Sequence, residues 1–289
     1  MKSKELFNHH MDSTRWNDFK PRDDDIIIAT YGKSGTTWVQ QILGQLIYNG
    51  DPSINIAERS PWLDMRVTPI DSVLAKLENQ TDRRFIKTHL PLNALKFFDN
   101  CKYIYVTRDA RDIVWSLYNH HYHANDDWYK LLNETPGLVG PKIEKPTNDI
   151  IQYWKEWLDN DGYPFWSFWE NIKTWWDARN LPNVMLIHYS ELKRDLPGEI
   201  RKIAEFINVP IDDNNFETIV QHCTFEWMKN NGSNVVPANG AFWEGGTSTF
   251  INKGVNGRWS DILPESESKR YEKIARDKLG DECTEWLMQ

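Results

Sequence analysis

Asp25-Ile26-Ile27-Ile28-Ala29-Thr30-Tyr31-Gly32-Lys33-Ser34-Gly35-Thr36-Thr37-Trp38 is an apolar run that breaks into a short Gly/Lys/Ser loop and resumes with hydroxyl residues. The run predicts a buried strand over Ile26–Tyr31, and the hydroxyl residues predict a helix start. Backbone N–H groups at such a turn converge on one point, and the helix dipole adds positive potential there. Lys33 supplies a full charge, while Ser34, Thr36 and Thr37 supply hydroxyl donors. Together these make a phosphate cradle, P-loop-like in its strand-loop-helix plan. The order is not Gly-x-x-x-x-Gly-Lys-Ser/Thr: Lys33 precedes Gly35, and Trp38 follows at once. A strand–helix turn with an incidental lysine is the plainer reading, but it leaves the convergence of donors unexplained.

Outward from this stretch, strands and helices alternate. Thr36–Asn49 has helical spacing, with Trp38, Ile42 and Leu46 on one stripe and Gly50 as a stop. Arg84–His89 is a short strand closed by Leu90-Pro91, Lys102–Arg108 a strand followed by a helix over Asp109–Tyr122, and Val184–Tyr189 a fourth strand. Gly198–Asn208 places Ile200, Ile203, Ala204 and Ile207 at core spacing. Short apolar strands between helices predict an α/β fold: a single domain over residues 1–289, with a mostly parallel central sheet and helices on both faces. Residues 124–148 and 230–258 are rich in Gly and Pro and predict long loops, of the kind that form lids or binding loops. Tyr153–Trp176 predicts helices that pack on the sheet or line a cavity.

Composition narrows the function. The 289 residues suffice for one large core. A net charge of −8 argues against a general nucleic-acid or anionic-membrane surface, so any anion site must be local. Cys101, Cys223 and Cys283 show neither a disulfide framework nor metal-ligand spacing, in keeping with a reducing compartment. The first twenty residues hold no apolar targeting stretch and no run is long enough to insert in a membrane; the expectation is a cytoplasmic protein. With 15 Trp, an aromatic-lined cavity is expected beside the core; Trp62, Trp115, Tyr118, Trp128 and Trp154 are candidates for either role.

Polar residues gather where the predicted strands end: Lys33, then Lys87 and His89, then Arg108, then Tyr189. Ligands of open α/β sheets bind in the crevice at the carboxyl ends of the strands. Plainer roles stay open for each. Lys87 has that of a solvated charge, His89 of a core histidine, Arg108 of a partner for Asp109 or Asp112, and Ser116 of mid-helix filler. His120, His121 and His123 lack a Cys or carboxylate to complete a metal set, and are read as pocket-lining or surface residues, with no metal expected.

Four of these stretches together resemble the cytosolic-type sulfotransferases, with a bacterial-like member as the nearest type. Tyr31–Trp38 resembles their 5′-phosphosulfate loop, and Lys87-Thr88-His89-Leu90-Pro91 their acid–base motif. Arg108 with Ser116 resembles their 3′-phosphate motif, and Phe250–Trp259 their Arg-Lys-Gly-x-x-Gly-x-Trp loop. The order along the chain matches from about residue 20 onward. The resemblance implies 3′-phosphoadenosine 5′-phosphosulfate as co-substrate. By that resemblance Lys33, Ser34, Gly35, Thr36 and Thr37 hold the 5′-phosphate, Trp38 and Phe225 sandwich the adenine, and Tyr189 contacts it. Arg108, Ser116, Lys253 and Gly254 hold the 3′-phosphate at a loop where Asn252 also lies. His89 is the base, with Lys33 and Lys87 beside the transferring group.

Three positions depart from the family pattern. Gly32 replaces a Pro, Asn252 an Arg and Cys223 a Thr; Arg258 stands where Asp is usual and is expected to restore positive potential to the loop. The dimer segment of vertebrate members has no counterpart near the C-terminus, leaving the oligomeric state open.

Sulfuryl transfer is an in-line displacement at a centre carrying charged equatorial oxygens, so positioning and charge neutralisation dominate. A hydroxyl acceptor gains from a positioned base, for which histidine suits neutral pH. The partner expected is a small apolar or aromatic hydroxyl compound, without nucleic acid. A kinase-like phosphotransferase and a catalytically silent nucleotide binder are the competing readings.

Overall fold

The computed structural model describes residues 2–289. Four parallel strands form the sheet: β1 (Ile26–Thr30), β2 (Phe85–Thr88), β3 (Lys102–Thr107) and β4 (Val184–His188), in the order β2-β1-β3-β4. β1 lies at the centre, with Ala29 opposite both Thr88 and Tyr105. All carboxyl ends therefore meet at one rim, as the strand-end residues predicted.

Both faces of β1 are buried because its side chains alternate into two cores. Ile26 and Ile28 pack with Val39, Ile42 and Leu43 of helix α1 (Thr36–Ile47) and with Ile200 and Ile203 of the later helix Leu196–Phe206. Ile27 and Ala29 point the other way. They join Ile113 and Val114 of helix α2 (Ala110–Tyr122), together with Trp154, Trp157, Ile172 and Trp175. Fully burying each isoleucine stabilises by about 1.5–3 kcal/mol, so this doubly covered strand anchors the loop that follows it.

α1 ends two residues earlier than its spacing predicts, with Asn49 and Gly50 at positive φ turning the chain away. α2 starts one residue late because Asp109 is its cap, accepting from the Arg111 amide. Residues 124–148 are not simply a loop: helix α3 (Asp126–Glu134) occupies the first part, capped by Asn125 and burying Trp128 and Leu132. Residues 230–258 carry short helical turns at Gly232–Val235, Pro237–Gly240 and Thr247–Phe250. Trp154 is fully buried beneath the sheet and Tyr118 packs against Tyr122 and Tyr153, so neither lines the central cavity. The three cysteines are free and buried. No described helix is long and apolar enough to cross a membrane.

Candidate active site

The loop after β1 is built for an anion. Lys33 has φ 66° and Gly35 φ 115°. The first is a costly conformation for a residue with a side chain, and the second is open essentially to glycine alone. This backbone leaves the amides of Gly35, Thr36 and Thr37 without partners inside the chain, at the first turn of α1. The Ser34 hydroxyl is enclosed and also unpartnered. Gly32 is ordinary by contrast: it has no positive φ, and a Cβ there would meet Trp166 and Leu117 at van der Waals distance.

His89 follows β2. Its Nδ1 lies 2.9 Å from the Thr30 carbonyl oxygen and 3.0 Å from Thr30 Oγ1. A carbonyl only accepts, so Nδ1 carries the proton and Nε2 keeps its lone pair, which has no partner in the chain. Thr30 Oγ1 in turn is 2.7 Å from Thr36 Oγ1, linking His89 to the loop. The ring stacks on Trp166 at 5.6 Å and meets the edge of Trp62 at 4.6 Å. Burial, then Lys87, holds its pKa down to about 3, against the Thr30 hydrogen bond.

Lys33 and Lys87 are partly buried and make no ion pair among the described residues. Lys33 Nζ sits 4.3 Å from the Phe250 ring centroid; burial, with the charges of Lys87 and Arg108, brings its pKa down to about 7. Lys87 Nζ sits 5.3 Å from the Trp62 ring, and burial brings it to about 8, with Asp64 opposing. Asp64 is fully buried and accepts from Thr88 at 2.5 Å, Trp16 at 2.7 Å and Trp62. Burial raises its pKa to about 6 despite those bonds.

A second positive locus faces the first. Arg108 donates to Asn256 Oδ1 at 2.9 and 2.6 Å and to the Val255 carbonyl at 3.0 Å, and lies over Tyr189 at 4.3 Å. Asp112 accepts from the Gly257 amide at 2.8 Å and stands 3.8 Å from Arg108. The sequence reading of Arg108 as a partner for Asp112 is thus part of its role, alongside gripping the 252–258 loop. Arg258 lines the same cavity, half-buried, with no ion pair; burial first and then Arg108 lower its pKa. The Asn252 carbonyl receives Lys229 at 3.5 Å, and Lys253 is exposed.

Between the loci stand flat apolar groups. Trp38 donates from Nε1 to the Cys223 carbonyl at 2.7 Å, so at that departure the backbone makes the contact, independent of the side chain. Gly254 (φ +62°) lies so close to Phe225 that a Cβ would approach its ring to 2.3 Å. Tyr189 presses on Gly35 and meets Trp38 at 5.1 Å. It opens a short helix, Tyr189–Arg194, and is not the last strand residue.

Most of these groups surround one cavity of about 540 Å³. Lys33, Gly35, Thr36, Thr37, Trp38, Lys87, His89, Arg108, Ser116, Tyr189, Phe225, Asn252, Lys253 and Gly254 line it, so nearly every residue singled out in the sequence is brought together; Ser34 is buried within the loop. Arg108, just before the cap of α2, and Asp112, Ser116 and His120 on the helix run as one stripe along the wall at intervals of four. His121 is not a surface or pocket residue: it is buried beside Tyr153, and His123 ends the helix. Trp62, Trp128, Phe165, Trp166 and Trp243 add an aromatic wall, beside aliphatic residues such as Met65, Leu131 and Met228 and polar ones such as Glu58 and Ser72. Sequence reading missed His10, Asp64 and Trp166; each reaches the site through contacts distant in sequence, and none sits in a motif.

An anion-ready loop, a second positive locus, aromatic groups between them and a neutral imidazole are the kind of site a nucleotide-dependent group-transfer enzyme needs. The sulfotransferase domain model matches residues 23–282, and the chain belongs to that family. Its reaction is transfer of a sulfuryl group from 3′-phosphoadenosine 5′-phosphosulfate to a hydroxyl acceptor. Among its relatives is a glycolipid sulfotransferase of Mycobacterium bovis, 30% identical over 283 residues, covering 90% of this chain and 86% of that one. Sulfotransferase 1B1 of Canis lupus familiaris is 30% identical over 274 residues, covering 91% and 86%. Among solved structures, a retinol dehydratase complexed with retinol and PAP superimposes with a TM-score of 0.71 at 25% identity, covering 93% of this chain and 84% of that one. A mouse sulfotransferase complexed with PAP shares the fold, with a TM-score of 0.72 at 22% identity and coverage of 99% and 96%.

Proposed function

We propose that this chain sulfates an apolar, ring-bearing alcohol or phenol, with His89 Nε2 as the base. The observation that carries this is the fixed tautomer: the Thr30 carbonyl accepts the Nδ1–H hydrogen bond and leaves the Nε2 lone pair free, with Lys87 and Lys33 near enough to act on the ring's charge. The residues fit the co-substrate. Unpartnered amides at Gly35, Thr36 and Thr37 and the orphaned Ser34 hydroxyl suit its 5′-phosphate. Arg108, Ser116, Asn252, Lys253 and Gly254 suit its 3′-phosphate, and Trp38, Phe225 and Tyr189 its adenine. When bound, it supplies an activated sulfuryl group. His89 accepts the acceptor's hydroxyl proton at Nε2. Lys33 and Lys87 place positive charge where the leaving oxygen becomes negative.

Asp64, fixed by three donors, positions Trp62 and keeps Lys87 charged. The aromatic wall suits ring or lipid alcohols, in line with relatives named for a glycolipid and complexed with retinol. A single domain is the reading supported by Met11, Trp16, Cys283 and Leu287, which pack in the same core as β1 and β3 residues. Three free, buried cysteines favour the cytoplasm.

The test is turnover with the labelled donor and a panel of phenols and sterols, read by product mass. His89→Ala lowers kcat by on the order of 10²–10⁴ and leaves affinity for adenosine 3′,5′-bisphosphate nearly intact. Wild-type kcat in that variant at saturating acceptor removes His89 from the role.

A further inference from the structure

The acceptor end of the cavity holds two imidazoles that the transfer chemistry leaves unused. His10 is buried, with its ring 5.9 Å from Trp62 and 5.9 Å from Trp166. His89 rests on the same two indoles at 4.6 and 5.6 Å, so both rings share one aromatic box. His120 enters from α2, 4.7 Å from Trp243 and 5.8 Å from Phe250, the ring that also carries Lys33.

Each ring is incompletely paired. His120 Nδ1 is enclosed without a partner. His10 spends Nδ1 on His9, and its ring makes no other hydrogen bond in the chain. Unpaired nitrogens in an apolar box are unfavourable, and phenylalanine would fill either place better if only hydrocarbon came there. Burial lowers both pKa values well below the ordinary histidine range, so each ring is neutral near pH 7: His120 has a free Nδ1 and His10 a free Nε2, each able to make one hydrogen bond without charge.

We propose that the acceptor carries a second, neutral oxygen besides the hydroxyl that is sulfated, and that His10 and His120 hydrogen-bond it. The substrate class is then the diols, hydroxyketones and polyhydroxylated ring compounds. This rests on the reading of the aromatic half of the cavity as a hydroxyl-acceptor site.

The experiment measures binding to protein loaded with adenosine 3′,5′-bisphosphate, by tryptophan fluorescence, comparing a naphthol with the dihydroxynaphthalenes. The wild type binds at least one of the diols tighter than the naphthol, by roughly threefold to tenfold, the worth of a hydrogen bond. His120→Phe and His10→Phe bring that ratio toward one; His120→Gln, which keeps a donor and an acceptor, retains most of it. A wild type that favours no diol overturns the proposal, as does a ratio unchanged in both Phe variants. If melting shows His10→Phe unfolded, His120→Phe alone decides. Failure of the protein to sulfate any hydroxyl compound would strike the transfer reading, while the binding ratio still decides this one.

Discussion

Gly254 and Gly257 share a loop and a left-handed backbone, yet differ in what surrounds them. Gly254 has φ +62° and no room: a Cβ would come within 2.3 Å of Phe225 Cδ2 and 2.5 Å of Cε2. Gly257 has φ +77° and nothing within 4 Å. Alanine at either site carries the same backbone strain, about 1–2 kcal/mol. Only at Gly254 must the Phe225 ring also move. Its backbone cannot retreat, because it begins the helix Phe225–Asn230 behind the Thr224 cap.

A base stacked on an aromatic side chain is worth about 1–3 kcal/mol. Gly254→Ala is therefore expected to weaken adenosine 3′,5′-bisphosphate by about fivefold to 150-fold relative to Gly257→Ala, at 1.4 kcal/mol per tenfold. Calorimetric titration of the two variants measures the difference, with thermal melting to show equal strain. Equal affinities at matched melting temperatures would refute the placement of the adenine against Phe225.

Other outcomes follow from charge. Lys33 and Lys87, at about 7 and 8 when nothing is bound, rise when a phosphate meets them. Binding then takes up protons, so affinity for the bisphosphate falls as pH rises above about 7; titration at several pH values checks this, and a flat profile from pH 7 to 9 denies contact with these lysines. His89, held near 3, is already a free base at neutral pH, so kcat/KM should show no acid limb from it between pH 5 and 7; such a limb, lost in His89→Ala, would contradict the buried, neutral ring. Asn252→Arg should tighten the bisphosphate by about 1.5–3 kcal/mol at most. Arg258→Ala should weaken it, more at low salt than at high; if neither changes calorimetric affinity, the loop does not grip the 3′-phosphate.

The phosphate loop and strand ends were legible because their signals are local: an apolar run, a Gly at a forced φ, and a polar residue where each strand stops. The acceptor half was not. His10 lies in an N-terminal segment with no periodicity, and its neighbours come from residues 62, 128, 165 and 166. Asp64 sits in a turn, and its meaning appears only when Trp16 and Thr88 fold onto it. α3 was hidden by the glycines and prolines after it, although Asn125 is a cap signal. The helix Glu265–Leu279 was readable and went unread: Pro264 precedes it, Gly280 follows it, and Tyr271, Ala275 and Leu279 are spaced by four.

The α2 stripe makes the helix a ruler laid between two recognition events. Asp112 ties the loop beside Arg108, Ser116 stands midway and His120 meets the aromatic half. At 1.5 Å per residue, about 12 Å separates the first of these from the last. Inserting a single residue before Ser116 would rotate everything beyond it by about 100° and misalign both ends together. Substitution at His120 leaves the graduations intact. A lineage can therefore trade one acceptor for another at the far end of this helix while the nucleotide end keeps its setting.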